Sequence, residues 1–561
     1  MKRIIAIVLA ILTVACLVFP VAAATESGHG KKCTNCAKAG DLDQNGVFEL
    51  EDAVYLLYHT YFPERYALPA HGDHREENCQ GCLEAGDLDQ NGVLNADDAV
   101  RLLYHLNFPE AYPLPGCTYG FKLSMGYARV EITPEDTMDI YGSTATSAHD
   151  PLQMTCTAVD DGASRALLFS LDMRSFSVEL TGLLTDIIED QFAIPADHVF
   201  FNITHTHSAP SSPNLSHSAN GAHGRWRTKI CNRLKEVVAL ALDDLDEVEA
   251  AYAGVGYTDG ITFVRRYLMK DGTYQTNPGS GAVAHETEAD NQMRTLRFDR
   301  KNKKDILMVN YQTHYGSATG LYKGQYSADF VHVFRETAER KWDCHFVYHS
   351  GASGNLNFAS VIPGERKYSN FVAATQLGLI PTAKHCMENE KKITLGGLQF
   401  ASDWVTAPVY QDTPEDQAKA KEVKKIADAN DYDTDSAEYK ALCVERGFAG
   451  YRQVQGILTR SSLGKTLDVP FYAISFGDIG FVSAPYEMFD TNGQQVRNGS
   501  PFEMTFVCSY TNGGFGYVPS SIAFPHGAYE VWISRFCETT GDDFAGEMIR
   551  LLKECKAASV S

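Results

Sequence analysis

The feature that most constrains the fold of this 561-residue chain is an internal repeat in its N-terminal part. The hexapeptide Asp-Leu-Asp-Gln-Asn-Gly begins at Asp41 and again at Asp87, 46 residues later. Each copy follows a Cys-x-x-Cys pair and precedes an apolar stretch that ends at Phe-Pro, which is typical of a short helix. The repeat predicts two equivalent loop-and-helix units within residues 33–116.

Each copy carries the ligand pattern of a calcium-binding loop. Side-chain oxygens stand at positions 1, 3, 5 and 12, a glycine at position 6 permits the sharp turn, and position 7 offers a carbonyl. The predicted calcium ligands are Asp41, Asp43, Asn45, Val47 and Asp52 in the first loop and Asp87, Asp89, Asn91, Val93 and Asp98 in the second. An Asp- and Asn-rich turn without metal is the alternative, but it would rarely repeat in register.

A calcium loop followed by one helix, twice, without an entering helix, resembles the dockerin type I modules. The resemblance implies calcium-dependent docking on a cohesin-like partner carried by a scaffold or a cell surface. Loop positions 10 and 11 are Leu50-Glu51 and Ala96-Asp97, instead of the Ser/Thr pair frequent in dockerins, and the gap between the repeats is longer. The identity of the partner is therefore open.

Two alternatives remain for the cysteines beside the loops, Cys33, Cys36, Cys79 and Cys82. Two Cys-x-x-Cys pairs suit a structural zinc site of four thiolates. In an exported protein the same thiols are commonly oxidised to disulfides. Either the zinc site or the disulfides would stabilise a module whose hydrophobic core is small.

The first 24 residues predict an export signal. Lys2 and Arg3 precede an apolar stretch over residues 4–21, and three alanines at 22–24 offer a cleavage site. A secreted, extracellular protein is expected, held on a scaffold or cell surface by the dockerin-like module. No later stretch reaches the roughly 18 apolar residues of a membrane span.

Acidic residues outnumber basic ones by 71 to 49, which argues against a nucleic-acid partner. From residue 120 onward, strand-like runs alternate with helical ones, which predicts a large α/β domain over residues 120–561. The strand-like runs are 166–171, 198–203, 306–311 and 346–348, and the helical ones are 177–191 and 228–245. A charged, helix-prone stretch at 413–447 is expected to be a solvated insertion, with a lid over the site as the alternative.

The clearest chemical signal is Thr-His-Thr-His-Ser at residues 204–208, directly after an apolar run. Residues two apart in a strand point to the same face, so His205 and His207 are expected to reach one metal ion or one scissile bond. Two hydrogen-bonded histidines at a polar strand end are the alternative.

Three further candidates lie at the ends of predicted elements or in glycine-rich turns. His314 follows the run 306–311, Glu487 follows an apolar strand that ends at Val482, and Tyr517 lies among glycines that allow close backbone approach to a site. A lone His or Tyr is more often a satisfied core residue.

Together these segments resemble the catalytic domain of the neutral/alkaline non-lysosomal ceramidase family over roughly residues 120–535. The matching stretches are 126–134, 204–208, 310–314 with 327–330, 485–487 and 517–530. The resemblance implies an α/β fold with a large mixed sheet and hydrolase activity on amide or ester bonds. Carried over position by position, it implies zinc ligands at His205, His314, Glu487 and Tyr517 and catalytic roles for His207 and Tyr529.

These residue types suit metal-assisted hydrolysis. Two neutral imidazoles and a carboxylate hold zinc, which lowers the pKa of bound water to about 7. His207 would then move the proton and Tyr529 would bond the oxyanion. The same ligand set also accepts iron or manganese.

The chain departs from the ceramidase pattern at the nucleophile. The family serine lies in a Gly-Asp-Val/Ile-Ser-Pro motif, and the aligned residue of this active site is Asn357, which offers no nucleophilic oxygen. Ser350 and Ser353 are near but out of register. Arg265 and Arg266 could face an anionic substrate group, although surface charges are the favoured interpretation.

We therefore expect a secreted, zinc-dependent hydrolase of amide or ester bonds in a lipid or glycan acyl substrate. A dockerin-like module that binds two calcium ions is expected to attach it to its partner. A dockerin-like module is compatible with a substrate derived from plant polysaccharide or another complex polymer. The alternatives are a true ceramidase and a catalytically inactive, metal-stabilised binding module in which Asn357 marks lost chemistry.

Overall fold

A computed structural model describes residues 123–314, 318–434 and 436–559, together with Val54, Leu56, Asp98 and Val100. The chain divides after Gly120 into two units. In the first unit, the four described residues all have helical backbone, and Leu56 and Asp98 are buried. The export signal, Cys33, Cys36, Cys79, Cys82 and the predicted calcium ligands other than Asp98 lie outside the described residues. Calcium binding and docking remain predictions.

The strands of the second unit are short at the site and longer in the sheets that support it. In chain order they are β1 (Ser124–Glu131), β2 (Met138–Ile140), β3 (Ser143–Ala145), β4 (Ser147–Ala148), β5 (Gln153–Asp160), β6 (Arg165–Leu171), β7 (Val199–Ile203), β8 (Asp246–Tyr257), β9 (Phe263–Val264), β10 (Arg266–Met269), β11 (Tyr274–Thr276), β12 (Ala282–His285), β13 (Gln292–Arg300), β14 (Ile306–Tyr311), β15 (Gln325–Tyr326), β16 (His345–Ser350), β17 (Leu356–Asn357), β18 (Lys391–Ile393), β19 (Leu398–Pro408), β20 (Thr466–Phe476), β21 (Ile479–Ala484), β22 (Glu487–Met488), β23 (Met504–Ser509) and β24 (Tyr517–Val518).

The helices are α1 (Val178–Phe192), α2 (Ala222–Asp243), α3 (Ala318–Leu321), α4 (Phe330–Trp342), α5 (Phe371–Ala374), α6 (Ile380–Glu388), α7 (Pro414–Ala429), α8 (Ala437–Glu445), α9 (Tyr451–Ser461), α10 (Asp490–Gly499), α11 (Ala528–Ile533) and α12 (Thr540–Ala558). A π-helical turn at Thr375–Leu379 joins α5 to α6, and 3₁₀ turns lie at Ala196–His198 and Ser521–His526. In the described part of the chain, no helix combines the length and hydrophobicity needed to cross a membrane.

A nine-stranded mixed sheet forms the centre of the second unit, in the order β16-β14-β13-β8-β1-β5-β6-β7 with β18 beside β8. A second sheet has the order β19-β20-β21-β23. Within these two sheets three neighbouring pairs are parallel, namely β6 with β7, β14 with β16, and β21 with β23. The sequence-based prediction of an α/β fold with a large mixed sheet is confirmed.

The two sheets pack face to face and are covered by helices on their outer faces. Met125, Leu168 and Met308 of the large sheet share one buried cluster with Ile474 and Phe481 of the smaller sheet. Helices α1 and α2 cover one half of the large sheet's outer face, and α4 and α6 cover the other half. Helices α10 and α12 cover the smaller sheet, which gives four layers.

Buried asparagines join the two sheets near the ends of their strands. Asn202 of β7 donates to the Ser509 carbonyl oxygen at 2.6 Å and to Thr511 Oγ1 at 2.8 Å. Asn310 of β14 donates to the Val507 carbonyl oxygen at 3.2 Å. Because a buried amide without partners is costly, these bonds fix how the strand ends of one sheet face those of the other.

The predicted elements are found close to their predicted positions. The run 198–203 contains β7, and 306–311 coincides with β14. The helix predicted at 177–191 is α1, which begins after Ser177 because the Ser177 side chain accepts a hydrogen bond from the Leu180 backbone.

The charged stretch at 413–447 forms α7 and α8, and α9 completes the insertion with its own apolar core. Helix α9 packs against α11 so closely that a Cβ on Gly456 would lie 1.9 Å from the Trp532 carbonyl oxygen. Arg460 donates to the carbonyl oxygens of Trp532 and Ser534 at 2.7 and 2.8 Å. The insertion is therefore fixed on the helix that carries Tyr529 and Glu530.

Candidate functional site

The candidate site lies where strand ends of both sheets meet. His205 follows β7, His314 follows β14, and Ser353 follows β16 in the large sheet. Glu487 and Tyr510 follow β21 and β23 in the smaller sheet. The Ile203 backbone donates to the Tyr510 carbonyl oxygen at 3.3 Å, so the ends of β7 and β23 are in direct contact. Ligand sites of α/β sheets commonly form at such carboxyl ends.

The two imidazoles of the Thr-His-Thr-His segment converge through a turn. Strand β7 ends at Ile203, and His205 has a left-handed backbone with φ of 56°. The expectation that strand alternation alone would align His205 with His207 is therefore wrong in its geometry, although both rings reach one place. A left-handed conformation is uncommon for a residue other than glycine and tends to persist where its surroundings enforce it.

Three imidazoles form a compact cluster. Ligand nitrogens of His205, His207 and His314 all lie within 4.8 Å of one another. Nε2 of His207 is 3.3 Å from Nε2 of His205, and the His314 ring lies about equally far from both other rings, at 5.1 and 5.2 Å between centroids. Burial lowers the pKa of His205 to about 3 and holds those of His207 and His314 well below the usual value. All three are neutral near pH 7, which is the form that binds metal.

Backbone carbonyls orient two of the three rings. Nδ1 of His205 lies 2.5 Å from the Arg174 carbonyl oxygen, and Nδ1 of His314 lies 3.2 Å from the Ser353 carbonyl oxygen. Each carbonyl requires a proton on Nδ1, which leaves Nε2 as the unprotonated nitrogen, the form that binds a metal ion. Among the described residues, His207 has no carbonyl partner of this kind, so its tautomer is less constrained.

Glu487 faces the imidazoles from the smaller sheet. Its Oε2 atom lies 3.6 Å from Nε2 of His205 and has no hydrogen-bond partner among the described residues, although it is buried. Because His205 is neutral, this contact is not an ion pair. Burial raises the pKa of Glu487 to about 7, against the opposing effects of the Tyr517 hydroxyl and Arg265. A cation beside this oxygen would favour the ionised carboxylate.

Tyr517 is held next to Glu487 by strand pairing and by a buried cation. Strands β22 and β24 place Glu487 opposite Tyr517, and the Tyr517 hydroxyl hydrogen-bonds to the Glu487 carboxyl group. The Arg265 guanidinium donates to the Tyr517 hydroxyl oxygen at 2.9 Å. Burial raises the pKa of Tyr517 well above its usual value, and the Arg265 charge opposes this rise.

Arg265 and Arg266 are buried, so their interpretation as surface charges is wrong. Arg265 donates to Glu530 at 2.8 Å, and Arg266 donates to Glu286 at 2.6 Å and to Glu530 at 3.0 Å. Their carboxylate partners are distant in sequence, so a local pattern could not reveal them. The ion pair with Glu530 fixes the Arg265 guanidinium that donates to the Tyr517 hydroxyl.

Tyr529 lines the same region and remains protonated. Its ring centroid lies 5.4 Å from that of Tyr517, and burial raises its pKa to about 12. The Arg452 guanidinium of the helical insertion lies 5.4 Å from the Tyr529 ring centroid. A half-buried phenol that keeps its proton is a hydrogen-bond donor for developing negative charge.

The side chain of Asn357, in β17, forms hydrogen bonds with residues other than the candidate ligands. Its Nδ2 donates to Asn277 Oδ1 at 3.1 Å, and its Oδ1 accepts from the Phe358 backbone at 2.9 Å. It also lines a cavity of about 370 Å³ with aromatic side chains that include Tyr368 and Phe371. None of these hydrogen bonds goes to a predicted metal ligand.

The loop before Asn357 is joined to the site through its backbone. The Gly354 backbone donates to the Met488 carbonyl oxygen at 2.7 Å, and a Cβ on Gly354 would lie 2.6 Å from the Glu487 carbonyl oxygen. Ser353 Oγ is 2.9 Å from the Tyr510 hydroxyl, whereas Ser350 Oγ donates to the Ile203 carbonyl oxygen at 2.7 Å.

Sequence reasoning missed two residues that border the imidazoles. The Tyr510 ring stacks on His205 with centroids 4.3 Å apart. Arg174 supplies the carbonyl that orients His205. Both follow buried strands, β23 and β6, so the strand-end rule that identified His314 would also have found them.

No protein-family model and no curated protein matches the chain. Among solved structures, the fold is similar to neutral ceramidase from Pseudomonas aeruginosa, with a TM-score of 0.58 over 78% of this chain and 75% of that chain at 15% identity. It is also similar to a ceramidase complexed with C2, with a TM-score of 0.57 over 77% and 76% of the two chains at 16% identity. The second unit therefore has a ceramidase-like fold.

Proposed function

We propose that the second unit is a zinc-dependent hydrolase that cleaves amide or ester bonds of acyl substrates. The observation that carries the proposal is a cluster of three neutral imidazoles, one of which lies 3.6 Å from a buried carboxylate oxygen that has no hydrogen-bond partner among the described residues. In the same proposal, the protein is secreted, and its calcium-loaded, dockerin-like unit attaches it to a cohesin-like partner.

The residues present fit a divalent cation. With the proton of His205 on Nδ1, Nε2 of His205 and Nε2 of His207, 3.3 Å apart, avoid facing lone pairs through a proton on His207, which agrees with a proton-carrying role for His207. We assign His205, His314, Glu487 and Tyr517 as the ligands. Backbone carbonyls orient both imidazoles, and Glu487 Oε2 lacks any other partner among the described residues.

When bound, zinc would supply Lewis-acid activation of water or of the substrate carbonyl. His207 lies beside the ligands without a backbone carbonyl partner on Nδ1 among the described residues, and we assign it the transfer of a proton between the attacking water and the leaving group. Tyr529 keeps its proton near neutral pH and donates it in a hydrogen bond to the oxyanion. Arg265 fixes the Tyr517 hydroxyl through a bond of 2.9 Å.

A second candidate is hydrolysis of ceramide itself, which the ceramidase-like fold favours. Asn357 stands where the ceramidase pattern has its serine, so a serine ester intermediate at that position is excluded for this chain. Ceramide therefore belongs among the substrates to be tested.

The test is hydrolysis of fatty-acyl amides, sugar amides, simple esters and ceramide by the full chain, with and without 1,10-phenanthroline. This chelator binds transition metals through nitrogen and spares calcium, which prefers oxygen ligands. We expect hydrolysis of at least one class, loss of the rate with chelator, and recovery with added zinc. Hydrolysis that is indifferent to chelation, or no hydrolysis of any class by zinc-loaded protein, would contradict the proposal.

A further inference from the structure

Arg174 is a half-buried cation beside the imidazole cluster. It lies three residues after β6, and its carbonyl oxygen is 2.5 Å from Nδ1 of His205. Its guanidinium donates to the Ser211 hydroxyl, which is also only partly buried. Backbone and side chain together hold this residue next to His205.

Within the described residues, Arg174 has no carboxylate partner within ion-pair distance. Several other buried arginines of the second unit have a carboxylate partner, namely Arg265 with Glu530, Arg266 with Glu286, and Arg335 with Asp172, whereas Arg294 donates to the uncharged Gln292. The chain has a formal net charge of −22, so counter-charges are abundant elsewhere. Burial lowers the pKa of Arg174 and the Tyr141 and Glu487 side chains oppose this effect, but no carboxylate of the described residues lies close enough to form a direct ion pair with the guanidinium.

The charge of Arg174 acts on the centre of the site. After burial, it contributes to lowering the pKa of both His205 and His207, and it acts on Glu487 in the same direction. Tyr141, whose ring lies 4.8 Å from that of His207, is 50% exposed. Tyr141 and the half-buried Arg174 are therefore side chains beside the imidazoles that remain partly open to solvent.

We propose that Arg174 is a specificity-determining residue that pairs with an anionic group, a carboxylate, of the acyl substrate. The inference rests on the proposed function and names its substrate class: acyl amides or esters that carry a carboxylate near the scissile bond. A guanidinium presents a planar fork of donors that matches a carboxylate, and the substrate supplies the missing counter-charge.

The test compares N-octanoylglycine with N-octanoylglycinamide, which differ only in carboxylate against carboxamide. With the zinc-loaded full chain, kcat/KM is measured for hydrolysis of both, and Kd is measured by calorimetry. The variants are Arg174→Gln, which removes the charge, and Arg174→Lys, which retains it. Arg233→Gln is the matched control, because Arg233 pairs with Glu236 on the exposed face of α2.

We expect the native chain to favour the carboxylate compound and Arg174→Gln to reduce that preference by about tenfold or more, as for loss of a charge-assisted hydrogen bond. Arg174→Lys should retain part of it, and Arg233→Gln all of it. A carboxylate preference in binding without any hydrolysis supports the role of Arg174 while the hydrolase proposal fails. The proposed role of Arg174 is overturned if the native chain shows no carboxylate preference or if that preference survives Arg174→Gln. It is also overturned if neither compound binds at millimolar concentration.

Discussion

The Nε2 atom of His205 lies 3.6 Å from the Oε2 atom of Glu487, although the two residues follow strands of different sheets. The contact requires both sheets to be packed in register, which the buried amides of Asn202 and Asn310 enforce. The proposed metal-ligand set therefore depends on the interface between the sheets, so changes at that interface should alter the site without changing a proposed ligand.

Replacing His207 by Asn should separate proton transfer from metal binding. Because we assign His205 and His314 as ligands and His207 as the proton carrier, His207→Asn should keep its zinc and lose roughly 10²- to 10⁴-fold in kcat. Zinc content and kcat on the best substrate measure the two effects. Loss of zinc equal to that of His314→Asn would instead make His207 a ligand.

The two tyrosines should respond differently to loss of their hydroxyl groups. Tyr517→Phe removes a ligand and the acceptor of the Arg265 bond, so both zinc affinity and rate should fall. Tyr529→Phe removes only a donor to the oxyanion, so kcat should fall by about 10²-fold with zinc retained. Zinc titration and steady-state kinetics distinguish them. A Tyr517→Phe variant with native zinc affinity and native rate would remove Tyr517 from the mechanism.

Much of the fold was predictable from sequence because it depends on local patterns. Apolar runs gave β7 and β14, and Ser177 marked the start of α1. The strand-end rule also pointed to His314. Pairings between distant segments were not predictable: Arg265 with Glu530 joins positions whose local sequences look like surface charge. The left-handed conformation of His205 likewise depends on its surroundings, so alternation along a strand gave the wrong geometry.

Gly354→Ala should damage the site through the backbone of Glu487. The added Cβ would lie 2.6 Å from the Glu487 carbonyl oxygen, so Glu487 or the loop must shift. We expect a loss of roughly 1–3 kcal/mol in the free energy of unfolding and a lower kcat. Gly546→Ala is the matched control, since a Cβ there meets nothing within 4 Å. Equal stability and rate in both variants would show that Gly354 is not required for close packing.

Glu530→Gln should weaken the domain in a pH-dependent way. Burial alone would raise the pKa of Glu530, but the Arg265 and Arg266 guanidinium groups hold it below its usual 4.5. A depressed folded-state pKa means that the stabilisation is fully present above pH 4.5 and is lost as the pH falls through the folded-state value.

Breaking such a buried pair costs roughly 3–5 kcal/mol. Denaturant unfolding of the native chain and Glu530→Gln should therefore differ by about that amount at pH 7, and the difference should shrink as the pH falls through the depressed folded-state pKa of Glu530. A difference that is constant with pH would show that the stabilisation does not come from the ionised carboxylate.

Zinc content and hydrolysis measured on the same full-length samples test the central claim most directly. The samples are the native chain, His314→Leu and the control His349→Leu, which replaces a buried histidine packed against Phe481 and Phe506. Because the N-terminal cysteines are a predicted alternative zinc site, with disulfides as the other prediction, the informative quantity is the difference between samples. We expect His314→Leu to hold one zinc fewer per chain and to lose hydrolysis, with both retained in His349→Leu. Equal zinc in all three, or hydrolysis that survives the loss of that zinc, would contradict a catalytic metal at this site.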